Sequence, residues 1–390
     1  MSSRRSTANQ RTIRRRRAIA LAVPIALAVA VAVASGQTGG EKRHGVVARS
    51  DLAARAGHPP DVRSPRTTGS SSNLRSGSDP DVLPGPVLIA DRDNNRLLEI
   101  SPQGIVLWRF PEGGDLAPGQ TFLLPDDAFF SPDGHEIVAT QEDDFAISFI
   151  DIGSHRIVYR YGHPGVPGSE PDYVHNPDDA MLTPSGELIS ADIKNCRVLV
   201  IRPPAHRPLR QLGVTGDCEH QPGLSYGSPN GAFPMADGDT AITEINDDWL
   251  DVVDPRGRLL QATHPPGFTY PSDTNEVAPG LFLSVDYTDP GAMETFTASG
   301  HLRWRYEPSG KEALNQPSLA VPLPNGDILA NDDKNDRVIV VDPRNNTIVW
   351  QYGHTHTAGS GEGFLSNPDG VDLAPPYSLT QRFASSMRAP

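Results

Sequence analysis

Four short segments of the chain open alike: PDDAFF at 125–130, PDDAML at 177–182, PNGAFP at 229–234 and NPDGVDL at 367–373. Each places Asp or Asn directly after a proline and ahead of an apolar run, so Asp126, Asp178, Asn230 and Asp369 hold equivalent places. Three carboxylates and an amide oxygen gathered at one point make a hard, oxygen-only site of the kind that takes Ca²⁺. Crowded carboxylates also raise one another's pKa, which a bound cation relieves. These four residues are the candidate metal site.

A second series of polar residues closes other apolar runs: Asp91, Gln141, Asp192, Glu244, Asp286 and Asp332. Three of these acids are followed five residues later by arginine, giving the pairs Asp91/Arg96, Asp192/Arg197 and Asp332/Arg337. A pair repeated at fixed spacing reads as scaffold, with the Asp accepting backbone N–H groups at a strand end. His163, His175, His220, His264, His354 and His356 fall in longer polar connections. There an imidazole can ligate a metal or act as a base, although an exposed loop residue is the simpler reading. His155, His206 and His301 fall in turns expected on the opposite face. No GxSxG, HExxH, Walker A or GxGxxG pattern marks a standard enzyme in the folded region. Cys196 and Cys218 are the only cysteines. In an exported protein such a pair is expected to form a disulfide, here one that pins the loop carrying His220.

The elements that position these residues repeat. VLIADRDNNRLLEI (87–100), ELISADIKNCRVLVI (187–201) and DILANDDKNDRVIVV (327–341) share an apolar strand ending in Asp, a polar turn, an Arg and a second apolar strand. A third strand follows, ending near Trp108, Tyr159, Trp304 or Trp350, which read as packing between units. Four strands per roughly 40–50 residues is the spacing of a propeller blade. Six such units can be aligned. The first lacks its opening strand and a spare one stands at 367–375, so the expected fold is an all-β, six-bladed propeller over 85–376. It closes when the C-terminal strand pairs into the first blade, which hides an exposed sheet edge. Because strand one runs down and strand two returns, the candidate acids share one face, with Asp126, Asp178, Asn230 and Asp369 nearest the central channel.

The units resemble NHL repeats, and the GxxxW endings at Gly104–Trp108 and Gly300–Trp304 resemble those of quinoprotein-type (PQQ-like) propellers. The likeness covers about three quarters of the chain. It implies the architecture and an exported bacterial protein, but it implies no quinone, because the fuller AxDxxxGxxxW docking pattern is missing. Propellers host many unrelated functions. Lactonase-like and arylsulfotransferase-like enzymes are more distant architectural relatives.

Upstream, Arg14 to Arg17 precede an uncharged run from Ala18 to Ala34, the basic and apolar regions of an export signal. Residues 1–17 are thus expected to be cytoplasmic. The segment 18–34 forms a membrane anchor, or a signal peptide cleaved after Ala32-Val33-Ala34; residues 35–84 form a disordered linker and 377–390 a tail. Residues 1–50 hold ten Lys/Arg and one acid, leaving 24 basic against 47 acidic residues in the remainder. Such an acidic body repels nucleic acid and suits cations or basic partners. The reading is an extracytoplasmic binding scaffold for a protein or a small polar or cationic ligand, on the cell membrane or secreted. The alternative is a metal-dependent hydrolase of the lactonase kind, or a sulfotransferase-like enzyme, using the same face.

Overall fold

The computed structural model describes residues 73–386. They form six four-stranded antiparallel sheets. Blades 2 to 6 are each built from consecutive strands. Their inner strands are Ala128–Phe130, Pro177–Leu182, Pro229–Pro234, Pro271–Ala278 and Ala320–Pro322. The inner strand of blade 1 is Pro368–Leu373, which pairs antiparallel with Val87–Asp91 in the register Val87↔Leu373, Ile89↔Val371. The last strand of the chain therefore completes the first sheet, and no blade is left with three strands.

The local chemistry of each blade repeats. In blades 1, 2, 3 and 6 the second strand ends in a single 3₁₀ turn (Arg92–Asn94, Glu142–Asp144, Ile193–Asn195, Asp333–Asn335). A left-handed residue then reverses the chain: Asn95, Phe145, Cys196 or Asp336. Asn and Asp tolerate that conformation; Phe145 and Cys196 are held there by the packing around them. The three repeated pairs are buried ion pairs: Arg96–Asp91 at 2.6 Å, Arg197–Asp192 at 2.7 Å and Arg337–Asp332 at 2.7 Å. Each Asp also accepts a backbone N–H from the loop entering its own inner strand: Ser366, His175 and Asn315 respectively. For Asp91 that loop comes from the far end of the chain, so the same device locks the ring. The outer-strand aromatics join neighbouring blades. Trp350 donates to Pro102 O, Trp304 to Asn346 Oδ1 and Tyr159 to Ala205 O.

Two stretches differ from expectation. Residues 73–84, read from composition as the end of a linker, lie along the outer strand of blade 6. Leu74 bridges to Tyr352, Arg75 N donates to Gln351 O and Asp79 N to Val349 O. The reason is two leucines in a polar context, since Leu83 is buried and Leu74 packs on the core. Residues 379–386, read as tail, form a helix (Leu379–Ser386). It packs at the end of the inner strands away from Asp126. There Asp372 accepts the N–H groups of Leu379, Leu373 and Phe130, and Leu379 is buried. Among the described residues no helix is long and apolar enough to cross a membrane. The predicted apolar helix at 18–34 lies outside the described residues.

Candidate functional site: the mouth of the central channel

The inner strands enter the ring side by side, and their first residues form successive layers of the channel. The outermost layer is Asp126, Asp178, Asn230, Ser272, Ser318 and Asp369, one from each blade. All are buried. Together with Glu142, Tyr270 and Tyr287 they line one cavity of about 160 Å³. The structure thus brings the four residues singled out in the sequence to one place. The strand-end series is not among the lining residues of this cavity. Asp91, Asp192 and Asp332 are taken up by the clamps described above. Asp286 accepts from Thr269 N and Tyr270 N, and Glu244 from Gly227 N.

Arg92 is the feature that sequence reasoning missed. Its guanidinium contacts Asp126, Asp143 (2.5 Å), Glu142 (3.3 Å) and Asp369 (3.4 Å), and its side chain is buried. Burial works against its charge, but Asp126, Asp369 and Glu142 outweigh that and hold it protonated. The signal was present in the repeat. The residue directly after each strand end is Arg92, Glu142, Ile193, Ile245, Tyr287 and Asp333. Four of these six, Arg92, Glu142, Tyr287 and Asp333, reach the mouth cavity or the residues that line it.

One cation does not neutralise the mouth. Burial pushes Asp126 well above the usual carboxylate range, the nearby Asp369 adds to this, and Arg92 opposes it. Asp178 is raised by burial and by Asp127 and Asp179. Glu142 is raised by burial against the pull of Arg92. On the Asn230 side the polar groups bond among themselves, Asn230 Nδ2 donating to Ser272 Oγ at 2.9 Å. The rings of Tyr270 and Tyr287 pack 5.3 Å apart at the rim. The arrangement is an acidic pocket with an aromatic wall, one quadrant of which a guanidinium of the chain itself already fills. Ca²⁺ held by Asp126, Asp178, Asn230 and Asp369 would have to displace Arg92 from two of its four ligands.

The loop histidines lie elsewhere, and none lines the mouth cavity. His220 contacts both oxygens of Glu244 at 2.9 and 3.0 Å and stacks on Trp249. Burial lifts Glu244 to about 8 and lowers His220. Cys196 and Cys218 are bonded, with Cα atoms 5.1 Å apart, which ties the loop carrying His220 to the turn of blade 3. His163 and His206, expected on opposite faces, hold the two oxygens of the same residue, Asp172. The connection after blade 2 is long enough to bring Asp172 within reach of both.

No protein-family model matches the chain, and no curated protein matches it. Among solved structures it is similar to a protein of unknown function from Bacteroides caccae, at 14% identity, with 74% of this chain and 98% of that one covered and a TM-score of 0.50. It is also similar to virginiamycin B lyase from Staphylococcus aureus (15% identity, 68% and 83% covered, TM-score 0.47). A third similarity is to the WD40 β-propeller domain of Doa1 (16% identity, 68% and 78% covered, TM-score 0.45). At these identities the likeness concerns the fold alone, that of a β-propeller.

Proposed function

We propose that the protein is an extracytoplasmic binding propeller whose channel mouth recognises a cationic group, an ammonium or guanidinium of a small ligand or of a basic partner protein. The observation that carries this reading is the mouth itself: Asp126, Glu142, Asp178 and Asp369 around one cavity, with Tyr270 and Tyr287 as its wall. Carboxylates beside aromatic faces suit an organic cation, which gains both charge pairing and a cation–π contact. Arg92 is an internal example of the charge pairing. Ca²⁺ at Asp126, Asp178, Asn230 and Asp369 is the metal form of the same reading. The export signal pattern at 14–34 and the Cys196–Cys218 bridge support a location outside the cytoplasm, and the NHL-like and quinoprotein-like repeats support an exported scaffold.

The test is calorimetry on the purified protein at low salt with agmatine, spermidine and CaCl₂ as probes. One probe should bind at a single site, and Asp178→Asn should weaken it at least tenfold. Absence of binding by all three at millimolar concentration overturns the reading.

A further inference from the structure

One residue deeper, the inner strands form a second layer: Asp127, Asp179, Gly231, Asp273, Leu319 and Gly370. Its three carboxylates come from blades 2, 3 and 5, and each bears one oxygen that meets no hydrogen-bond donor. All three residues are buried, at 2%, 0% and 2% exposure. Their ligand atoms lie within 4.8 Å of one another. Arg92, the cation of the mouth, pairs with Asp126 and Asp369 of the outer layer, not with these three. Beneath them the channel is plugged by apolar side chains. Phe129 and Phe233, two residues further along their strands and from blades that are not neighbours, meet edge to face at 6.0 Å.

A neutral group points to the same place. Thr243 is fully buried and its hydroxyl has no partner. It stands opposite Gly231 in the sheet. A Cβ built on Gly231 would lie 3.0 Å from Thr243 Oγ1, 3.2 Å from Asp179 Oδ2 and 3.3 Å from Asp273 Oδ1. Three oxygens from three blades thus face one space, and glycine keeps that space open.

We infer that Asp127, Asp179, Asp273 and Thr243 form a buried site for a hard divalent cation, Ca²⁺ in the first instance, one layer below the mouth. The donors are all oxygen, which selects Ca²⁺ or Mg²⁺ over thiophilic metals. Ligand atoms within 4.8 Å of one another can all touch one ion bound at about 2.4 Å. Waters entering from the mouth complete the shell. Three buried carboxylates with no cation of the chain beside them repel one another, and the ion removes that repulsion. It ties blades 2, 3, 4 and 5 together at the axis. The inference does not rest on the reading of the mouth, since neither layer needs the other's ligand.

The test is metal content and thermal stability of the purified full chain. After gel filtration in metal-free buffer, about one Ca²⁺ per chain should remain. EDTA should lower Tm by about 5 °C, the shift expected of a site held near 100-fold saturation, and Ca²⁺ should restore it. Asp273→Asn should lose the ion, whereas Asp369→Asn, in the mouth, should keep it. If Asp273→Asn fails to fold, Gly231→Ala serves instead, and its methyl group should weaken Ca²⁺ at least tenfold. A wild-type protein free of Ca²⁺ and Mg²⁺, with a Tm indifferent to EDTA and to both ions, overturns the inference. Loss of the ion from Asp369→Asn but not from Asp273→Asn also overturns it, and assigns the ion to the mouth.

Discussion

Replacing Arg92 with methionine keeps the stem and removes the charge, so it isolates what the guanidinium does. In the native mouth it faces four carboxylates, of which Asp126 and Asp369 are almost as buried as Arg92 itself and Asp143 is half exposed. Removing one partner from a buried ion pair costs about 3–5 kcal/mol, because the remaining charges stay desolvated. The exposed Asp143 adds little to this. The cost depends on pH, and its sign follows from the neighbours. Asp126 and Glu142 already have raised pKa values in the folded protein, from burial first. A raised carboxylate contributes stability below its unfolded pKa that is lost as pH rises through the folded one. Without Arg92 those pKa values rise further, so the loss deepens with pH. Arg92→Met should therefore lower Tm by about 6–10 °C at pH 8, at about 2 °C per kcal/mol, and by less than half of that at pH 5. The same variant should bind agmatine more tightly than wild type, because a competing guanidinium has left the pocket. Scanning calorimetry at the two pH values and a titration of agmatine measure both. An equal drop in Tm at pH 5 and pH 8, or weaker agmatine binding, would refute this account of the mouth.

Deleting everything after Ser366 removes the inner strand of blade 1 and should cause aggregation of the protein, seen by light scattering; an unchanged Tm would contradict ring closure through Pro368–Leu373. Thiol titration under denaturing, non-reducing conditions should find no free thiol. The double Cys196→Ser, Cys218→Ser variant should lose about 3 kcal/mol, the chain-entropy value for a loop of 22 residues. For Glu244, lifted to about 8 by burial, wild-type stability should fall as pH rises from about 4.5 to 8, and His220 should partly offset this around pH 6. In Glu244→Gln this decline should flatten, as measured by urea unfolding across that range.

Much of the ring was legible because its cause is local and repeated. An Asp at a strand end, a polar turn and an Arg five residues on recur in three blades, and each copy makes the same clamp. The orphan strand, expected at 367–375 and found at Pro368–Leu373, was legible from counting alone. The mouth was legible in half. Asp126, Asp178, Asn230 and Asp369 follow a proline at the start of an inner strand, a position that topology alone sends to the axis. Arg92 was not found, because the residue after the strand end follows no common pattern from blade to blade, and only the closed ring shows which of them turn inward. The second layer was legible only in part. Asp127, Asp179 and Asp273 stand among the polar residues that open the inner strands, but they share their repeat position with Gly231, Gly370 and Leu319, and only the ring, with blades 2 to 5 side by side, separates them from the mouth. Leu74 and Leu83 were lost in a stretch rich in Gly, Ser and Pro, where two apolar residues are too few to signal packing.

The claim that the mouth is a receptor for cations has one direct test. Because Asp126 and Asp178 hold protons more strongly than ordinary carboxylates, a cation entering the mouth must drive protons out. Titrating agmatine into the purified protein at pH 7 in two buffers of different ionisation enthalpy measures that release. The account predicts saturable binding with net proton release, reduced in Asp178→Asn. Binding with no proton release, or with the same release in Asp178→Asn, would contradict it.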